Sequence, residues 1–244
     1  MLVAAAVCPC PPLLVPEVAA GAAPELDGAR DACVDALGVL AAARPDLLVV
    51  VGPADEPGHA LFPEGSPGTF RGFGVDLDVR LGRPDPAGAD LPSLPPSLAV
   101  AAWLLRRVNW ADAPVEALAV GQRLAPERCR GIGRETGTRE GRVALLVMGD
   151  GSACRTLKAP GYLDERAAPF DAEAARALRE ADLAALNALD ADLAHELMAS
   201  GRAPWQVLAG AAEGAHGAGG SGLGGALLYD DAPYGVGYLV AAWS

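Results

Sequence analysis

Apolar positions along this chain fall into two patterns, and their alternation predicts the fold class. Leu2–Val7 is a short unbroken apolar run, which reads as a strand covered on both faces. It ends in Cys8-Pro9-Cys10-Pro11-Pro12, a rigid loop, because proline fixes φ and removes a hydrogen-bond donor. From Glu17 to Ala43 apolar residues recur at helical spacing (Leu26, Ala29, Cys33, Leu37, Leu40), predicting one helix that Pro45 stops. Leu47–Val51 is a second continuous apolar run and a second strand. Gly52 to Gly74 is rich in glycine, proline and acid, and reads as a long loop. Gly74–Leu81 then alternates apolar and polar, the pattern of a half-buried strand.

The same two patterns continue to the C-terminal side. Val115–Val120, Arg142–Met148, Leu227–Tyr229 and Val236–Trp243 read as strands. Ser97–Val108, Asp171–Ala181, Asp182–Ser200 and Pro204–Ala212 read as helices, with Asp171 as the N-cap of its own. Thr156 to Phe170 reads as a loop, and Gly214–Gly225 as a flexible glycine-rich one. Strands alternating with helices predict an α/β fold with a largely buried sheet. Ligands of such folds gather beyond the carboxyl ends of strands. Cys8–Pro12, Gly52–His59 and Gly149–Arg155 each follow a strand, so they are expected to meet on one surface.

Composition narrows the function classes. The 244 residues carry 31 acidic and 19 basic side chains, a net charge of −12. A nucleic-acid binder needs a basic face to neutralise phosphates, and no Lys/Arg run supplies one. The same balance argues against binding an anionic membrane surface. The apolar start reads as a buried strand, lacking the basic flank of a signal peptide, and no segment is long and apolar enough to span a bilayer. Five cysteines, an odd number, suggest reduced thiols and a cytoplasmic location. Cys8 and Cys10 stand too close together for a zinc-ribbon pair. The glycines around Gly219–Gly222 lack the lysine of a phosphate-binding loop.

Four blocks of sequence carry a resemblance. Cys10-Pro11-Pro12-Leu13-Leu14-Val15-Pro16-Glu17 resembles the His-Pro-Pro-Leu-Leu-Val-Pro-Glu stretch of class III extradiol ring-cleavage dioxygenase-like (LigB-like) proteins and their Memo-like relatives. Val147–Arg155, followed by Ala159-Pro160-Gly161-Tyr162, is similar to that superfamily's Ser-Gly-Asp-Leu-Ser-His-Arg segment. Pro204–Gly210 and Tyr229–Tyr238 complete the set, in the family's order. The resemblance implies one three-layer α/β/α domain over residues 1–244, with a central mixed sheet.

It also implies what is missing. Active members hold Fe(II) with two histidines and a carboxylate, leaving positions open for a catecholate and O₂. The first histidine falls here on Cys10. The second falls in Gly52-Pro53-Ala54-Asp55-Glu56, with His59 a few residues on. The acid/base histidine falls on Ala153, whose methyl group cannot transfer a proton. The expectation is a non-catalytic homologue that binds a small molecule, such as a small aromatic ligand, or acts as a subunit in a homo- or hetero-oligomer with a related chain. The pocket candidates are Cys10, Pro11, Asp55, Glu56, His59, Asp150, Ser152, Ala153, Cys154, Asp230 and Tyr234.

For most of these a bland reading competes. Cys10 is a small buried apolar residue or a thiolate ligand. Cys154 is a neutral neighbour or a substituted nucleophile. Asp150 and Ser152 hold the loop or take part in chemistry. Asp55 and Glu56 are an exposed acidic loop or a hard-cation site. His195 and His216 are read as surface and loop residues. No cofactor is expected. The alternative is an enzyme with a rebuilt metal site, in which Cys10, His59 and Asp230 hold a divalent ion, zinc or iron. A purely structural interaction protein is the third possibility.

Overall fold

The computed structural model describes residues 1–84, 90–217 and 222–244. Among these, seven strands form one sheet and two short ones form a side ribbon. In chain order the strands are β1 (Leu2–Cys8), β2 (Leu47–Ala54), β3 (His59–Phe62), β4 (Pro67–Thr69), β5 (Asp78–Arg80), β6 (Val115–Gly121), β7 (Val143–Met148), β8 (Gly225–Asp231) and β9 (Tyr238–Trp243). The main sheet runs β3-β6-β2-β7-β1-β9-β8. Its four central strands β6, β2, β7 and β1 are parallel. β9, β8 and β3 are antiparallel to their neighbours, so the sheet is mixed.

The parallel strands are apolar at nearly every position because both faces are covered. Ala4, Ala6, Leu48, Val50, Leu146 and Met148 point into one core layer. Ala5, Val7, Val49, Val51, Leu145 and Val147 point into the other. Helices α2 (Asp27–Ala42) and α3 (Pro96–Arg107) cover the first face. The second is covered by α4 (Pro126–Gly137), α5 (Ala167–Glu180), α6 (Leu183–Ala188), α7 (Ala191–Glu196) and α8 (Arg202–Gly217). Counting the sheet, this is the expected three-layer α/β/α arrangement.

Several element boundaries differ from the sequence expectation. The long helix of 17–43 is broken into α1 (Pro16–Ala19), a 3₁₀ stretch Ala20–Leu26 containing Pro24, and α2. Pro24 lacks the donor an α-helix interior needs. The expected loop 52–74 instead extends β2 to Ala54 and contains β3 and β4. Asp182–Ser200 splits into α6 and α7, because the Asp190 side chain caps a new start by accepting from Asp192 and Leu193 N–H. α8 runs on to Gly217, so His216 is helical and its Nδ1 lies 3.0 Å from the Ala212 carbonyl oxygen. Residues 218–221 of that predicted glycine loop lie outside the described residues, and its end, Gly225, opens β8.

α4 leaves no apolar stripe in the sequence, and its packing explains why. Gly133 and Gly137 lie flat against the backbone of α8, and Gly210 of α8 lies against the backbone of Arg130. A Cβ at any of the three would overlap main-chain atoms of the facing helix. The contact is backbone on backbone, so the residues that make it are small and carry no hydrophobic signature.

Candidate functional site

The parallel strands all point their carboxyl ends the same way, and a pocket of about 860 Å³ opens there. That size matches cavities that enclose small organic ligands. Cys10–Leu13 follow β1, Asp55–Gly58 follow β2, Gly121–Ala125 follow β6, and Asp150 and Ala153 follow β7. Met198 and Ser200 enter from the α7–α8 connection. Tyr234, Val236 and Tyr238 close the remaining side. The three strand-end segments singled out in the sequence do meet on one surface. The segment after β6 joins them.

Backbone hydrogen bonds hold these segments in register. Cys8 O accepts from Gly149 N at 3.0 Å, Asp150 O from Gly201 N at 2.8 Å, and Leu197 O from Ala153 N at 2.9 Å. Gly237 exchanges bonds with both sides of the β7 loop: its carbonyl accepts from Gly151 N at 2.7 Å, and its N–H donates to Ser152 O at 2.8 Å. Beneath them lies Asp171, one hundredth exposed. Its Oδ1 accepts from Ser152 N and its Oδ2 from Ser152 Oγ, both at 2.7 Å, and Oδ2 also takes Arg155 Nη1 at 3.0 Å. Asp171 is therefore no N-cap. α5 starts four residues earlier, at Ala167, and the carboxylate serves to fix the loop that carries Asp150.

The polar floor is built around Asp150. Its Oδ1 accepts the Cys10 N–H at 2.8 Å, and its own N–H donates to Ser200 Oγ at 3.1 Å. Cys10 Sγ stands 4.0 Å from Oδ2. Burial pushes the Asp150 carboxyl up to about 7, against the single stabilising bond from Cys10 N–H. Burial first, and the charge of Asp150 second, hold the Cys10 thiol well above its ordinary range. The Tyr238 phenol, 2 % exposed, is likewise raised by burial and then by Asp150.

The rim carries charge. Arg123 Nη1 lies 3.1 Å from His195 Nε2, and Gln122 Nε2 donates to Asp55 Oδ1 at 3.0 Å. With arginine as donor, the His195 ring accepts at Nε2. Arg202, almost fully enclosed, pins this rim from below by donating to the carbonyls of Leu124 (2.7 Å) and Gln122.

Of the predicted pocket residues, Cys10, Pro11, Asp55, Glu56, Asp150, Ala153 and Tyr234 line the cavity. Four do not. His59 is exposed on β3, where it pairs with Val120. Asp230 is exposed on the edge strand β8. Ser152 is wholly buried by its bonds to Asp171. Cys154 turns into the second core layer, its Sγ 3.5 Å from Leu197 O, and does not line the cavity. Cys8 is also remote, since it packs against Cys33 in the first layer.

His195, Arg123, Ser200, Met198 and Tyr238 complete the pocket and were not anticipated. Gln122 and Arg123 could have been found by the strand-end argument already applied to β1, β2 and β7. His195 had no such signal, because it reaches the pocket only through the turn that Asp190 caps.

The metal centre expected as the alternative is not assembled in this geometry. The proposed ligand set Cys10, His59 and Asp230 is not assembled at the pocket. Among the described residues, no group of three or more His, Cys, Asp or Glu side chains is placed to hold an ion.

Comparison with protein-family models and with curated proteins returns no match. The fold is similar to a crystal structure of an uncharacterized protein, JW3007, from Escherichia coli K12. The two are 14 % identical over 99 % of each chain, with a TM-score of 0.58. That likeness supports the α/β fold. Among the described residues, no helix is long and apolar enough to cross a membrane.

Proposed function

We propose that this chain is a small-molecule-binding protein of extradiol-dioxygenase-like design that works without the family's metal chemistry. The observation that carries the reading is the pocket itself, an 860 Å³ cavity at the carboxyl ends of four parallel strands. Open α/β sheets bind ligands at that end. Its floor offers a carboxyl, a thiol, a hydroxyl and a phenol, while the position of the family's acid/base histidine carries Ala153. A role beside a related subunit in an oligomer fits the same reading, with the pocket as the shared element.

Thermal unfolding tests it, run with Fe(II), with Zn²⁺ and with a panel of small aromatic compounds. A ligand that binds only the folded state raises Tm with concentration. The expected result is saturable stabilisation by aromatic compounds with none from either metal, lost when Ala153→Phe fills the pocket. Iron-dependent cleavage of a catechol by the pure protein would overturn the proposal.

A second reading has one observation in its favour. A carboxyl that titrates near neutrality inside a cavity is suited to general acid–base work. Asp150 would then move a proton on a bound substrate, with the Ser200 and Tyr238 hydroxyls positioning it. Turnover lost in Asp150→Asn, with binding kept, would favour this over simple binding.

A further inference from the structure

Asp150 faces the pocket without a counter-charge. Its carboxyl meets neutral donors, the Cys10 N–H at 2.8 Å and the Cys10 thiol at 4.0 Å. The other side chain against it, Tyr238, is an uncharged phenol, and Ser200 meets its backbone. The sole basic guanidinium among the lining residues is that of Arg123, which stands at the rim against His195. A carboxylate withdrawn from water is either protonated or compensated by a positive group, so a cation brought to it would be held by the ionised form. Nothing in the described protein brings one to this floor.

The mouth has the opposite character. Two of the nine exposed large apolar side chains among the described residues, Met198 and Tyr234, line it. Tyr162, Met198 and Tyr234 have φ of 63°, 56° and 59°. Bulky residues rarely adopt that left-handed backbone, and where they do the surrounding structure imposes it, commonly at ligand-binding segments. Two of the three side chains, those of Met198 and Tyr234, line the cavity.

We infer that the pocket takes a small organic cation, its ammonium group against the Asp150 carboxyl and its apolar or aromatic body against Met198 and Tyr234. The inference rests on reading the cavity as a ligand site. An anionic ligand would meet Asp150 at the floor and Asp55 and Glu56 at the rim, in a chain already at −12. A methionine and a tyrosine suit an aromatic body, since thioether sulfur and aromatic edges attract ring systems.

The test compares three probes of one shape, naphthylmethylamine, naphthylmethanol and naphthoate, by calorimetry at pH 8. It uses the full chain and its Asp150→Asn variant. That variant keeps the acceptor for Cys10 N–H and removes the charge. The expected result is amine binding at least ~10-fold tighter than the alcohol, as a charge-assisted bond provides. Asp150→Asn should erase this preference, with a cooperative unfolding transition of the variant as the check that it still folds. Equal binding of amine and alcohol, tightest binding of naphthoate, or a preference that survives Asp150→Asn would overturn the cation while leaving the pocket as a ligand site. No binding of any of the three to the folded protein would remove both.

Discussion

The backbone N–H of Cys10 donates to Asp150 Oδ1 at 2.8 Å, joining the ends of β1 and β7 through a carboxyl that lacks a counter-ion. Burial, only partly offset by this bond, makes Asp150 a burden on folding whenever it is ionised. Its folded-state value of about 7 lies above the ordinary 3.8. The protonated form is favoured in the fold, so its stabilising contribution is complete below pH 3.8 and is lost as pH rises toward 7. Cys10, Tyr238 and Ser200, which surround it, stay neutral through that window. Thermal unfolding across this range should show stability declining with pH. Asp150→Asn should flatten the decline and raise Tm at pH 8 by about 5 °C. An unchanged slope in the variant would show that Asp150 does not titrate in this window.

Asp171 should prove the costliest polar residue to remove. Asp171→Ala leaves the Ser152 N–H, the Ser152 hydroxyl and Arg155 without their acceptor in a buried place. The expected loss is about 3 kcal/mol in urea unfolding, with ligand binding at the neighbouring pocket weakened as well. Asp171→Asn, which keeps one acceptor, should lose less.

Two glycine substitutions in α4 should have opposite signs. Gly133→Val drives a side chain into the α8 backbone and should cost more than ~3 kcal/mol or prevent folding. Gly131, two residues earlier, meets nothing within 4 Å, so Gly131→Ala should stabilise by up to ~1 kcal/mol through helix propensity alone. Denaturant midpoints of the two variants test the backbone-on-backbone seam directly.

Arg202 ties the rim to α8, so Arg202→Met should keep the packing and release the loop after β6. The prediction is faster amide hydrogen exchange at Gln122–Ala125 and a loss of about 2 kcal/mol. Exchange unchanged at those residues would show that the rim is held by other means.

The sheet was legible because burial on both faces leaves continuous apolar runs, as in Leu47–Val51 and Arg142–Met148. α4 was not, since Gly133 and Gly137 bury backbone where a stripe of leucines would have shown. The loops after β1, β2 and β7 were readable as pocket walls because strand ends converge by topology. Side-chain direction was not readable: Ser152 and Cys154 flank Ala153 yet turn away from the cavity, Ser152 drawn off by Asp171 and Cys154 by the second core layer. His59 was misplaced for a related reason. What read as a loop after β2 turns back as β3, carrying the imidazole to an exposed edge of the sheet. His195 entered through a helix break set by the single side chain of Asp190.

β9 lies antiparallel against β1, and the approach to it supplies Val236 and Tyr238 to the cavity wall. During synthesis the Cys10 and Asp150 segments emerge long before their last neighbour does. The cavity therefore cannot exist on a nascent chain still lacking residues 236–243, however well its early strands have collapsed. Chains halted before that point would present an open, unwalled sheet edge at β1 and no affinity for ligand. The cavity would thus report on whether β9 has joined the sheet, and chains stalled before it would stay open to proteolysis.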